Sequence, residues 1–249
     1  MKKIDIIAVS FLNTLPFIYG IKNSGFLENF KLQLEVPSIC ADHAIKNIPD
    51  IALVPIGSFT HLKDYLLLND YCLGTTNIVR SVLLLSNQPI EKIKTIYLDS
   101  DSRTSNKLIK ILILKYWKIK VEYKQNEEFD NNHLSAKISI GDKAFNEYKK
   151  FQYSYDLAEY WHKLTGLPFV FAVWVYKTDT KNNIIANFSE SLSFGIENID
   201  NLIKELKLNE KYPDIDVYTY LHKNMNYIFD KEKHKAFNHY LSLLNDNTI

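Results

Sequence analysis

The chain has 249 residues, 46% hydrophobic and 24% charged, with a net charge of +1. That length holds one large domain or two small ones, and the near-neutral balance gives no electrostatic case for nucleic acid or an anionic membrane surface. Cys40 and Cys72 are too few for a disulfide framework, and neither stands in a metal-binding spacing.

Met1–Val9 opens with two lysines, but Asp5, Ser10 and Asn13 interrupt the apolar run that follows. It reads as a strand rather than a secretory leader, and no stretch reaches the roughly 18 apolar residues of a membrane helix. A cytoplasmic protein is expected.

Ile4–Val9 is the first predicted strand, closed by the polar break Ser10–Thr14. Pro16 sits where a first helical turn tolerates it, and a short helix runs to Lys22. Lys31–Val36 alternates as a strand, Ile39–Asn47 is helical, and Ile51–Val54 is a short buried strand. Pro55–Ser58 is a second polar turn, expected to open a helix over Phe59–Tyr65. Tyr71–Leu73 and Val79–Leu85 read as strands. This β–turn–α rhythm implies a parallel sheet covered by helices.

Thr95–Leu98 is the next strand. The turn after it, Asp99–Ser105, holds hydroxyls and one arginine and opens a helix running to Tyr116. It reads in two ways: as a helix cap, or as an anion site made of helix N-terminal amides, hydroxyls and Arg103. Ile119–Tyr123 and Ala136–Ile140 are expected strands, with 124–132 a polar loop between them. Gly141–Asp142 opens a helix over Lys143–Lys149. Tyr155–Leu164 is amphipathic and stops at Gly166. Phe169–Tyr176 is a buried strand, and the remainder is helical by spacing.

Residues 87–176 therefore form a second α/β lobe inserted into a first, 1–86 plus 177–249. Two hinge strands, near Val79–Leu85 and Val170–Tyr176, join the lobes around a central cleft. Polar turns at strand C-termini place a ligand in that cleft. Ser10, Thr14, Gly57, Ser58, Arg80, Ser81, Ser102, Arg103, Thr104 and Ser105 are the candidate binding residues. Arg80 and Arg103 are the only arginines among 30 basic residues, and a guanidinium binds carboxylates bidentately where lysine does not. Arg80 is open to two roles, ligand clamp or hinge brace.

Five segments resemble the chorismate dehydratases, first enzymes of the futalosine route to menaquinone. They are Val9–Pro16, Asp50–Pro55, Leu98–Asp99 with Ser102–Ser105, Ile140–Ala144, and Tyr155–Trp161 with Thr165–Ala172. Phe11 departs from a tyrosine common in that family. The resemblance implies a type II periplasmic-binding-protein-like fold and loss of water from chorismate without metal or organic cofactor. It also names the runner-up, the related 1,4-dihydroxy-6-naphthoate synthases, whose catalytic histidine has no counterpart beside Gly141–Asp142. A binding-only solute-binding protein is the non-enzyme alternative. Chorismate is the expected partner, with no nucleic acid or membrane; oligomeric state stays open.

On that chemistry, a neutral donor such as Asn13 holds a reacting oxygen. None of the seven histidines falls in a cleft turn. Asp142 is the one carboxylate in such a turn, and is either a general base or a helix cap. The alternative base is the substrate's own enolpyruvyl carboxylate.

Overall fold

The computed structural model describes residues 3–125, 129 and 134–244. In chain order the first half of the first lobe contains β1 (Ile4–Val9), α1 (Leu15–Asn23), β2 (Phe30–Glu35), α2 (Pro37–Ile45), β3 (Ile51–Pro55) and β4 (Tyr65–Thr75). The second lobe follows, with β5 (Val82–Ser86), β6 (Thr95–Leu98), α3 (Arg103–Leu112), β7 (Glu122–Gln125), β8 (Ser135–Ile140), α4 (Ala144–Glu147), β9 (Tyr153–Asp156) and α5 (Leu157–Thr165). The chain then returns through β10 (Phe169–Lys177), α6 (Asn182–Glu197), α7 (Ile199–Glu205), α8 (Leu208–Lys211), α9 (Val217–Thr219), β11 (Asn226–Ile228) and α10 (Lys231–Leu244).

Each lobe is built on one sheet. The first runs β11-β4-β10-β3-β1-β2 and the second β7-β6-β8-β5-β9. Both are mixed. β1 is parallel to β2 and β3, whereas β10 is antiparallel to β3 and β4. β6 is parallel to β7 and β8, whereas β5 is antiparallel to β8 and β9. β3 and β5, buried at every position, are interior strands of the two sheets. This accounts for their unbroken apolar runs, since a strand covered on both faces shows no alternation.

The lobe boundary differs from the sequence expectation. Val82–Ser86, expected in the first lobe, pairs inside the second sheet, and Phe169–Lys177, expected to close the second lobe, lies inside the first. An apolar run says that a strand is buried, not which sheet buries it. The crossings are thus the segments between β4 and β5 and between α5 and β10. The helix expected over Phe59–Tyr65 is a 3-10 turn, Ile56–His61, followed directly by β4. β9 takes the first two residues of the amphipathic segment expected from Tyr155, β11 falls between expected helices, and β7 begins three residues later than expected. Most of the loop expected over 124–132, and His133, lie outside the described residues.

α3 positions the site. Ser102 caps it, accepting the Ser105 N–H on its side chain, and Leu108, Ile109, Ile111 and Leu112 are buried beneath it. Each such apolar side chain contributes about 1.5–3 kcal/mol of burial, which fixes the helix N-terminus at the lobe boundary. Asp156 caps α5, and Gly166 ends it in the left-handed conformation (φ 70°) as its spacing predicts.

Candidate active site

The carboxyl ends of β1 and β3, the start of β5, the N-terminus of α3 and the turn after β8 border a half-open cavity of about 50 Å³. Asn13, Ser81, Ser102, Thr104 and Ser105 line it, beside Phe11, Gly141 and Phe171. Five residues expected at the site are therefore brought together. No lining residue has an acidic, basic or imidazole side chain.

The hydroxyls divide into engaged and free donors. Ser102 Oγ accepts the Ser105 N–H at 3.2 Å and donates to Ser105 Oγ at 2.8 Å. The cap reading of this turn holds at Ser102, and the Ser105 hydroxyl keeps its own proton to donate. Thr104 Oγ1 accepts the Gly57 N–H at 3.0 Å and donates to the Phe171 carbonyl at 3.4 Å, so it braces the lobes rather than offering a free donor. Ser81 Oγ accepts from the buried Tyr220 hydroxyl at 2.8 Å. Thr14, fully buried, donates to Asn13 Oδ1 at 3.3 Å, and fixes the amide instead of lining the cavity.

The remaining candidates lie elsewhere. Ser10 is exposed. Gly57 acts through its backbone, with its N–H on Thr104 and its carbonyl accepting from Lys107 Nζ at 2.7 Å. Ser58 is buried outside the lining, its Oγ without a hydrogen-bond partner. The Arg103 guanidinium turns away from the cavity to Asp42 of α2. Arg80 has left-handed backbone (φ 67°), and its side chain lines a separate cleft of about 610 Å³ behind the hinge. Its neighbour in function is Asp156: Oδ2 accepts the Val79 and Arg80 N–H groups at 3.0 and 2.7 Å, while Oδ1 accepts those of Ala158 and Glu159. These bonds hold the Arg80 backbone rather than its guanidinium. Burial pushes the Asp156 carboxyl up to about 6, against the pull of those four amides.

Asp142 also stands outside the lining. Its Oδ1 accepts the Leu12 N–H at 2.9 Å, across the lobe boundary, and its Oδ2 accepts the Tyr212 hydroxyl at 2.8 Å. Burial raises its carboxyl pKa, opposed by both donors. Gly141 just before it has φ 63°, and a Cβ there would meet the Phe11 ring at 2.7 Å, so only glycine lets that ring lie over the turn.

Further bonds join the lobes at α3. Tyr240 donates to the Thr104 carbonyl at 3.0 Å, and the Ser38 N–H donates to the Asp101 carbonyl at 3.1 Å. Tyr212, Tyr220 and Tyr240 were all missed by sequence reasoning. They lie in the C-terminal third, whose helical periodicity says only which side is buried. Tyr220 opens a five-residue π-helical turn, Tyr220–Asn224, a geometry common at functional positions and invisible to a 3.6-residue pattern. Among the described residues, no group of three His, Cys, Asp or Glu could hold a metal.

The architecture is widely shared. A protein from Archaeoglobus fulgidus superposes with a TM-score of 0.76 at 15% identity, over 98% of this chain and 97% of its own. The alkanesulfonate-binding protein SsuA of Xanthomonas axonopodis pv. citri, bound to MOPS, gives 0.63 at 11% identity, over 98% and 92%. A Candida albicans protein described as having the generic periplasmic binding protein fold gives 0.66 at 12% identity, over 98% and 90%. The chain therefore has the periplasmic-binding-protein-like fold. In sequence, it is 30% identical over 169 residues to the chorismate dehydratase of Campylobacter jejuni subsp. jejuni serotype O:23/36 (strain 81-176), a match covering 66% of this chain and 63% of that protein. A family model described as menaquinone biosynthesis matches residues 4–246, which spans both lobes and every cavity-lining residue, so the chain belongs to the menaquinone biosynthesis family.

Proposed function

We propose that the protein is a cytoplasmic chorismate dehydratase, a hydro-lyase that converts chorismate to 3-[(1-carboxyvinyl)oxy]benzoate and water. The observation that carries this is the lining: free hydroxyls, an amide and a helix N-terminus converge with no ionisable side chain among them. Such a wall suits a ligand that brings its own negative charge, because fixed neutral dipoles hold an anion without a countercharge.

The elimination needs few groups. The C3 proton of chorismate is acidified by the diene, which spreads negative charge into the ring carboxylate. Ser105, with the N-terminal amides of α3, and Ser81 supply donors for the two carboxylates, strengthening as charge moves onto the ring carboxylate. The C3 proton passes to the substrate's enolpyruvyl carboxylate. The C3–H electron pair enters the ring, the C4–O bond breaks with its pair, and the departing hydroxide takes that proton and leaves as water. Asn13 donates to the leaving oxygen. The motive for this substrate-assisted route is that Asp142, the carboxylate expected in a cleft turn, lies outside the lining with both oxygens accepting from protein donors.

About 50 Å³ holds a water or two, not a ring acid, since a water takes roughly 30 Å³. Substrate entry therefore requires the lobes to part across the bonds at Asp142, Thr104 and Arg103. A binding-only role is the second reading, favoured by the likeness to SsuA, an alkanesulfonate-binding protein. The related naphthoate synthase reaction is less well served, since no histidine lines the cavity. Incubating purified protein with chorismate while recording ultraviolet spectra separates these: a growing aromatic band supports the dehydratase, and tight binding with an unchanged spectrum supports the binding role.

A further inference from the structure

Two hydroxyl pairs flank the cavity: both members of the first line it, while the second has one member facing it and one behind. In the first, Ser102 donates to Ser105. In the second, Tyr220 donates to Ser81 at 2.8 Å from a fully buried position on the π-helical turn. The phenol directs its proton to Ser81, while the neighbouring Asn13 amide oxygen accepts from Thr14.

Ser81 lines the cavity and Tyr220 does not. Burial holds the Tyr220 phenol protonated and raises its pKa, so it stays a donor. A hydroxyl has a single proton. Since Ser81 accepts from behind, its own proton is free to point forward into the cavity. Deleting the phenolic oxygen frees Ser81 to rotate.

We infer that Tyr220 is a positioning residue for the reaction: through its bond to Ser81 it fixes Ser81 as a donor facing the substrate. This rests on the dehydratase reading above. The ring of Tyr220 packs edge-on against Phe145 at 4.9 Å, so Tyr220→Phe keeps that contact and removes only the bond to Ser81.

The test is a double-mutant cycle on kcat with chorismate, using Tyr220→Phe, Ser81→Ala and the double variant, with melting temperatures recorded alongside. Tyr220→Phe lowers kcat by about tenfold to a hundredfold in the wild-type background, with a smaller change in KM, as loss of an interaction that matters most in the transition state does. In the Ser81→Ala background it lowers kcat by no more than about threefold, because the two residues act as one unit. Ser81→Cys, a similar shape with a weak donor and acceptor, gives the same near-silence and serves if the alanine variant folds poorly. Losses that multiply in the double variant overturn the proposal, as does a Tyr220→Phe protein with unchanged kcat. Wild-type protein that leaves chorismate untouched overturns the dehydratase reading itself, and is a distinct result from turnover without coupling.

Discussion

The Leu12 N–H, in the first lobe, donates to Asp142 Oδ1 of the second at 2.9 Å. Leu12 belongs to the 3-10 turn Leu12–Thr14 that carries Asn13. Asp142 therefore fixes where Asn13 stands when the lobes are together, while Tyr212 holds the other carboxylate oxygen. A side chain in that position governs closure. Asp142→Ala leaves a buried N–H without its acceptor, at about 1–3 kcal/mol. The expected result is a KM raised about tenfold or more with a smaller change in kcat, measured by steady-state turnover. A fall in kcat alone, at unchanged KM, would contradict the closure role.

Asn13 is expected to act in the transition state. Its amide oxygen is held by the buried Thr14 hydroxyl, so it is preorganised rather than recruited by substrate. Removing one such donor costs about a hundredfold or more in kcat. Asn13→Ala should show that loss while calorimetry still detects chorismate binding. Lost binding with normal turnover at saturation would assign Asn13 to affinity instead.

Thr104 and Gly57 form the second closing contact. The Thr104 hydroxyl accepts from Gly57 and donates to Phe171, and a Cβ on Gly57 would stand 3.0 Å from Thr104 Cα and N. Thr104→Val keeps the shape and removes both bonds, so KM should rise by about tenfold to a hundredfold. Gly57→Ala pushes the α3 N-terminus away and should move KM in the same direction. Unchanged KM in both variants would show that closure does not pass through this contact.

Asp156 carries a pH dependence whose sign is fixed by its carboxyl being raised to about 6 by burial. The folded chain then binds the proton more tightly than the unfolded chain, where an aspartate titrates near about 3.9. Its contribution to stability is fully present below that value and is lost as pH rises through about 6, up to roughly 3 kcal/mol. The wild-type melting temperature minus that of Asp156→Asn should therefore shrink between pH 4 and pH 7. A difference that grows with pH would mean that the four amides, not burial, set the carboxyl.

The sequence showed the elements that alternate or run unbroken: β1, β3, β6, β8 and β10 follow from apolar spacing, and α3 and α5 from their caps. It also drew Asn13, Ser81, Ser102, Thr104 and Ser105 into one place, because polar turns at strand ends converge in an α/β cleft. What it missed depends on pairing. β5 and β10 exchange lobes because burial carries no address. Arg103 looked like a ligand clamp because hydroxyls flank it, yet Asp42 from another helix takes its guanidinium. Tyr220 gave no local signal, since a buried tyrosine in a helical pattern reads as core until Ser81 is found within reach of its hydroxyl.

The central claim is that fixed donors suffice at this site and that the proton leaves without a protein carboxylate. Turnover of chorismate by wild type and by Asp142→Asn, followed by mass spectrometry of the product, tests it most directly. The carboxamide of the variant still accepts the Leu12 N–H, so the account predicts a product lighter than chorismate by one water in both, at rates within about tenfold. A wild type that forms this product while Asp142→Asn loses about a thousandfold or more would make Asp142 the base and contradict the account.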